Sequence, residues 1–422
     1  MLKKMQSDVI RTGFRARPSL PCGAPEIRVG LAMLVGALFS APAAAQFSET
    51  FHPFASVAVN HDDNLFRVTD ARAATLEHAS DSYRSVFAGL LIDLPVERQQ
   101  FNATLKLSRV TFENNDQLNY NGKDLSGDWR WVLGNQLNGR IGGSYTEVLA
   151  PFEDFPTVSG RNIRKVRKQY ANGNWRFHPS WQLRAGVTED RYTYELVSQR
   201  LNNRTERSTM AGADYLASSG STIGVQLRRL KGSYPYQSEL GFADNGYTQD
   251  EQKINILWLV TGSTQVMFLG GWVQRKHNFY TARDEDGTNG RLITSWAPEP
   301  NIKLTGQLYR EFGAIEGALV NSALVKGATV GATWDATAKI QASANLKHEK
   351  RDFSPYSNSG VVLSGDQMSD SSNQVSLGVV YKPLRTVSLQ ASVFRDRRSG
   401  SAAAGTNTFT ANGASLSATL QF

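Results

Sequence analysis

The side chains best placed to do chemistry in this sequence are cations spaced among small polar residues. Lys106, Arg130, Arg140, Arg176, Arg184, Arg228, Lys303 and Lys347 each occupy the polar register of an alternating stretch. In a strand, residues two apart share a face. If such strands close a tube, these eight line its inside. A ring of Lys and Arg lowers the electrostatic barrier to anions, so one reading is guidance of an anionic solute or polymer. The other is that the cations pair with carboxylates of the same register, such as Asp124 and Asp128, and brace the wall. The sequence leaves the two readings level.

Enzyme chemistry finds little support. The six histidines, His52, His61, His78, His178, His277 and His348, are scattered. No two share an element at metal-ligand spacing. The single cysteine, Cys22, precedes an apolar run near the amino end, so a processed chain has no thiol for a disulfide, a metal or a nucleophile. No local Ser–His pattern suggests an activated nucleophile, and no glycine-rich loop opens a helix to cradle phosphate. The expectation is therefore no catalysis, no cofactor and no metal. The weak positive charge left after removal of the basic amino end excludes nucleic acid.

Two loops stand out. Arg161, Arg164, Lys165, Arg167 and Lys168 form a basic cluster where a loop meets a strand. The favoured reading is contact with lipopolysaccharide phosphates, and capture of an acidic polymer is the alternative. Just before it, Pro151 to Pro156 carries Phe152, Glu153, Asp154 and Phe155. Aromatic faces stack on sugar rings and carboxylates accept sugar hydroxyls, so this segment is a candidate carbohydrate contact that could fold inward as a constriction, with an ordinary external loop as the equal alternative.

The elements that must position these side chains are strands. From Asn412 to Phe422, Ala414, Leu416, Ala418, Leu420 and Phe422 fall on one register, with Gly413, Ser415, Ser417, Thr419 and Gln421 on the other. That alternation suits a strand crossing a bilayer, which takes ~9–11 residues. Leu420 and the terminal Phe422 resemble the signal that outer-membrane barrels present to the barrel assembly machinery. The same unit recurs from Phe51 onward. Eight tight turns are expected near 95–98, 134–136, 178–180, 218–221, 261–263, 298–301, 335–338 and 382–385. Nine longer loops are expected near 60–81, 113–122, 150–163, 195–203, 232–246, 281–288, 313–321, 353–370 and 396–411.

These connections predict an all-β fold, a transmembrane antiparallel up-and-down β-barrel of about 18 strands (16–18). Trp129, Trp131, Trp175, Trp181, Trp258, Trp296 and Trp334 lie near expected tight turns, as an interfacial girdle would, and Trp272 does not. Residues 1–45 read as a cleaved signal peptide, with a basic start, an apolar run from Val29 to Phe39 and Ala43-Ala44-Ala45. Residues 46–422 then form one barrel in the outer membrane of a Gram-negative cell, in contact with outer-membrane lipid and lipopolysaccharide.

The stretch from Phe51 to Arg67, with its tract Asp62-Asp63-Asn64-Leu65-Phe66-Arg67, resembles the exosortase-associated outer-membrane proteins of exopolysaccharide biosynthesis, the EpsL-type barrels, within a wider group of β-barrel porins. The resemblance runs along the mature chain to Leu420-Gln421-Phe422. It implies a non-enzymatic part in extracellular polysaccharide biosynthesis or export, as the conduit for the polymer, together with periplasmic export components. The first alternative is a general or anion-preferring diffusion porin. The second is an outer-membrane enzyme of polysaccharide or lipid processing. Asp62, Asp63 and Asn64 remain candidates for Ca²⁺ or for shaping a turn.

Overall fold

The computed structural model describes residues 50–154, 160–239, 246–279, 284–314, 322–353 and 368–422. The expected signal peptide and Phe155 lie outside the described residues. Eighteen antiparallel strands form one closed sheet. They run β1 (Phe51–Asp62), β2 (Asp81–Val96), β3 (Gln99–Phe112), β4 (Tyr120–Leu133), β5 (Leu137–Leu149) and β6 (Ile163–His178). Then come β7 (Trp181–Tyr194), β8 (Arg204–Leu216), β9 (Thr222–Ser233), β10 (Tyr247–Leu259), β11 (Thr264–His277) and β12 (Glu285–Glu299). The last six are β13 (Ile302–Ala314), β14 (Ser322–Asp335), β15 (Ile340–Phe353), β16 (Ser369–Leu384), β17 (Val387–Ser399) and β18 (Phe409–Gln421).

Each strand pairs with its neighbours in sequence, and β1 pairs with β18 to close the wall. Closure follows from the solvent: in lipid every backbone N–H and C=O needs a partner, and only a sheet without edges supplies one. All eight expected tight turns connect strands at one end of the barrel, and the nine longer connections lie at the other. Two expectations shift. The loop placed near 281–288 gives way at Glu285 to β12, and that placed near 396–411 shrinks because β17 continues to Ser399 and β18 starts at Phe409. Strands outrun the membrane there, where the outer face no longer has to be apolar.

The alternation resolves into two surfaces. Leu105, Leu107, Ile141, Val187, Leu227, Leu308, Leu346, Leu377 and Leu416 are exposed on the outer face. Trp129, Trp175, Trp181, Trp258, Trp296 and Trp334 are exposed near the tight-turn end, whereas Trp272 lies farther from it in β11. Trp131 is the half-buried member. It lies across Gly139 and Gly173, where a Cβ would come within 2.4 Å and 3.4 Å of its ring. Leu420 sits on the outer register opposite Ala55 and Val387, and Phe422 is exposed with its N–H bonded to Pro53 O at 2.9 Å.

Candidate functional site

The inner surface carries the polar register, and all eight cations named from sequence lie on it. Six meet carboxylates. Lys106 is 3.3 Å from Asp124, Arg130 and Arg140 are 3.3 Å and 3.2 Å from Asp128, and Arg184 is 2.6 Å from Asp214. Arg228 is 3.0 Å from Glu251, and Lys347 is 2.9 Å from Glu349. Arg176 instead donates to Pro179 O at 2.7 Å in the adjoining turn. Lys303 has no ion pair among the described residues. This pattern favours bracing of the wall over a bare cationic ring.

Sequence reading missed the denser charge network at the loop end. Arg275 is 1 % exposed, donates to Gln249 Oε1 at 2.8 Å and lies 4.3 Å over the Tyr247 ring. Arg351 makes a two-pronged contact with Asp370, at 2.8 Å and 2.5 Å. Arg398 lies 3.9 Å from the same carboxylate. Lys253 sits 2.8 Å from Glu251, on the side away from Arg228. The spacing Lys347-x-Glu349-x-Arg351 could have revealed part of this, because all three share the inner register. Arg398 could not be found, since its segment reads as loop. Between these networks, a recess of about 360 Å³ opens on the inner wall, lined by Arg291, Gln307, Tyr309, Glu311, Lys347 and Glu349 among others. Arg291 grips Glu311 at 3.0 Å and 2.6 Å, and the Tyr309 hydroxyl donates to Glu349 at 2.6 Å. Tyr309 lies flat there because Gly327 beside it has no side chain, and a Cβ would come within 2.3 Å of the ring.

The loop joining β1 to β2 turns into the mouth. Leu65, Phe66 and Val68 bury against Tyr83, Val110 and Phe112 on the inner faces of β2 and β3, with Leu118 and Phe152 from the next two long connections. Burying such a side chain stabilises by roughly 1.5–3 kcal/mol, which holds a loop that would otherwise stay in water. The tract singled out by resemblance is the hinge of this packing. Arg67 grips Asp62 through two bonds of 2.7 Å, and its own backbone is left-handed, with φ of 54°. The Asn64 amide holds Val68 O and Thr410 O at 2.7 Å and 3.0 Å, while Asp63 accepts from the Asn412 backbone and amide at 2.6 Å and 2.7 Å. Asp62 therefore spends its carboxylate on shaping the loop, through Arg67 and the Asn64 N–H, while Asp63 and Asn64 fasten that loop to β18. Asp81 does the same for the next connection, accepting from Asn115 N and Nδ2 at 2.8 Å and 2.7 Å.

The segment proposed as a carbohydrate contact does fold inward, as a 3-10 turn from Phe152 to Asp154. Phe152 is buried with its ring 4.9 Å from that of Phe66, so it leaves no open face for a sugar. Glu153 meets Arg398 at 3.5 Å. The basic cluster divides. Arg164 and Lys168 point inward, with Lys168 3.4 Å from Asp190, whereas Lys165 and Arg167 share the outer register with Trp175. Arg161 lies in the loop, 2.8 Å from Glu195.

A closed antiparallel barrel with an apolar exterior, an aromatic belt and a polar interior is an outer-membrane β-barrel. No family model and no curated protein matches the chain. Among solved structures, it is similar to OccAB3 of Acinetobacter baumannii, with 9% identity over 89% of this chain and 100% of that one, at a TM-score of 0.46. It is similar also to a BenF-like porin from Pseudomonas fluorescens, with 12% identity over 89% and 99% of the two chains, at 0.48. A third is OccK2 (OpdF) of Pseudomonas aeruginosa in complex with glucuronate, with 11% identity over 89% and 98%, at 0.47.

Proposed function

We propose that the barrel is a pore for small hydrophilic solutes, the diffusion-porin alternative rather than a polymer conduit. The observation that supports this is the change in solvent access along the inner wall. Arg130 and Arg140 toward the tight turns, and Lys106 at mid-wall, keep 28 %, 27 % and 33 % of their side-chain surface open to water. At the loop end, Arg275 and Gln249 on the same face keep 1 % and 2 %. A wet tube narrowed at one mouth passes small polar molecules and sieves larger ones. The exopolysaccharide reading rests on the resemblance along the mature chain, and in its most specific tract Asp62, Asp63 and Asn64 are engaged in holding the loop and the seam.

The test is reconstitution of the full chain in planar bilayers and liposomes. Stepwise ohmic conductance, with uptake of mono- and disaccharides and exclusion of long oligosaccharides, is the expected result. A barrel that conducts nothing, in cells that lose secreted polysaccharide when the chain is deleted, would overturn it in favour of the conduit.

A further inference from the structure

We propose that the outer face of β6 to β9, near the loop end, is a docking site for the phosphates of an outer-leaflet glycolipid. The patch carries an arrangement of charge that the protein itself neutralises only in part. Arg167 of β6 is paired directly with Arg191 of β7, and Arg207 of β8 with Lys231 of β9. All four are on the outer register. Like charges directly opposite across a sheet are destabilising, so a chain that keeps two such pairs side by side has a use for them.

One carboxylate serves this group. Glu189 lies 2.6 Å from Arg207 and 3.8 Å from Arg191. Among the described residues, Arg167 and Lys231 have no ion pair. The other cations of this face have carboxylates of their own: Lys165 of β6 lies 3.6 Å from Glu147 and Arg229 of β9 is matched to Asp250 at 2.6 Å, while farther round the barrel the opposed Lys326 and Lys350 share Asp352 at 2.8 Å and 3.5 Å. Arg167, Arg191, Arg207 and Lys231 thus share a single anion, and the side chains of Arg191 and Arg207 stand open, at 50 % and 69 % exposed.

Height along the barrel identifies the partner. On β7, Trp181 marks the aromatic belt, and Arg191 is ten residues further along the same face. At ~3.3 Å per residue and a tilt of ~40° that distance is ~25 Å of membrane height, the full thickness of the apolar band. Below the cations the same register carries Val187, Leu183, Leu227 and Val225, all exposed. A lipid whose acyl chains lie on that surface places its headgroup phosphates against the four cations. Guanidinium groups suit this, because their forked donors bond phosphate in pairs.

The test uses the full chain, folded in detergent free of endogenous glycolipid and titrated with bisphosphorylated lipid A, with binding read by native mass spectrometry. Arg167→Gln/Arg191→Gln should weaken binding at least tenfold, while Lys326→Gln/Lys350→Gln should change it less than twofold. Arg167→Lys/Arg191→Lys should recover part of the loss. Equal weakening by both Gln pairs would show a general charge effect and overturn the site. The second arm needs no variant. The unaltered chain must discriminate against lipid A stripped of its phosphates by a similar factor, and equal binding of the two lipids would overturn the proposal. Solute passage is untouched by either outcome, because these side chains face away from the lumen.

Discussion

Arg398, on the inner face of β17, donates a 2.8 Å hydrogen bond to the carbonyl of Glu153, 245 residues earlier in the chain. Glu153 belongs to the connection between β5 and β6. Six strand spacings separate β17 from β5 through the β1–β18 pairing, ~29 Å along the wall at ~4.8 Å each. The contact therefore exists only because that connection cuts across the mouth, where it helps narrow the opening.

Arg398→Ala releases this crossing. Single-channel conductance should rise and the mouth should admit larger sugars. Asp370 keeps Arg351 as a partner, so the loss of stability should be modest, about 1–3 kcal/mol. Conductance and melting temperature measured on the same preparation check it; an unchanged conductance means that the crossing does not limit flow.

Asp62→Asn removes one half of the grip on Arg67. The carboxylate is 1 % exposed and the guanidinium 11 %, so the cation is left buried without its counter-charge. Breaking such a pair costs about 3–5 kcal/mol. The left-handed backbone of Arg67 adds strain that the pair now offsets. Loss of the folded, heat-modifiable band at a lower temperature is the expected reading on a gel; melting identical to the unaltered chain would contradict it.

Replacing Arg130, Arg140, Arg184 and Arg228 together by Gln strips Asp128 and Asp214 of their cations and leaves Glu251 with Lys253 alone. The pore should then shift toward cations in reversal-potential measurements across a salt gradient. Single substitutions should shift it little, since charges across a wet lumen are screened over ~8 Å at physiological salt. No shift in the fourfold variant would mean that these pairs lie off the permeation path.

Deleting Phe422 should lower the amount of folded barrel in the outer membrane. Its side chain is exposed, so the folded state loses little buried apolar surface. A large fall in yield with a near-normal melting temperature for what does assemble would mark an assembly signal. A matched fall in both would mark a structural part only.

The strand count, the closed barrel and the register of all eight inner cations were legible because alternation with period two has one interpretation in a bilayer. Partner choice was not legible. Asp214 and Glu251 meet Arg184 and Arg228 from neighbouring strands, and register between strands depends on the turns joining them. The basic cluster shows a second limit. Its residues are adjacent in sequence, yet the pleat sends Arg164 and Lys168 inward and Lys165 and Arg167 outward. The inward loop was hidden for another reason: Leu65, Phe66 and Val68 give no periodic signal, and their burial depends on Phe152 and Leu118 from distant connections.

The seam between β1 and β18 also sets an order of events. Every other pairing joins neighbours in the chain and can form as a hairpin, but Ser56 meets Thr419 only after the whole ribbon has been laid down. Closing a loop of that length from a random chain costs about 5 kcal/mol in its length-dependent part, by the (3/2)RT ln n rule. The grip of Arg67 on Asp62 and of Asp63 on Asn412 stands at one end of this last joint. The bonds of Asp63 to Asn412 act as a latch: once they catch, reopening the tube means giving them up and exposing two rows of backbone polar groups to lipid at the same moment. Such a barrel should be slow to come apart whatever its equilibrium stability, and its lifetime in the membrane is then set at the seam rather than by the sum of its eighteen strands.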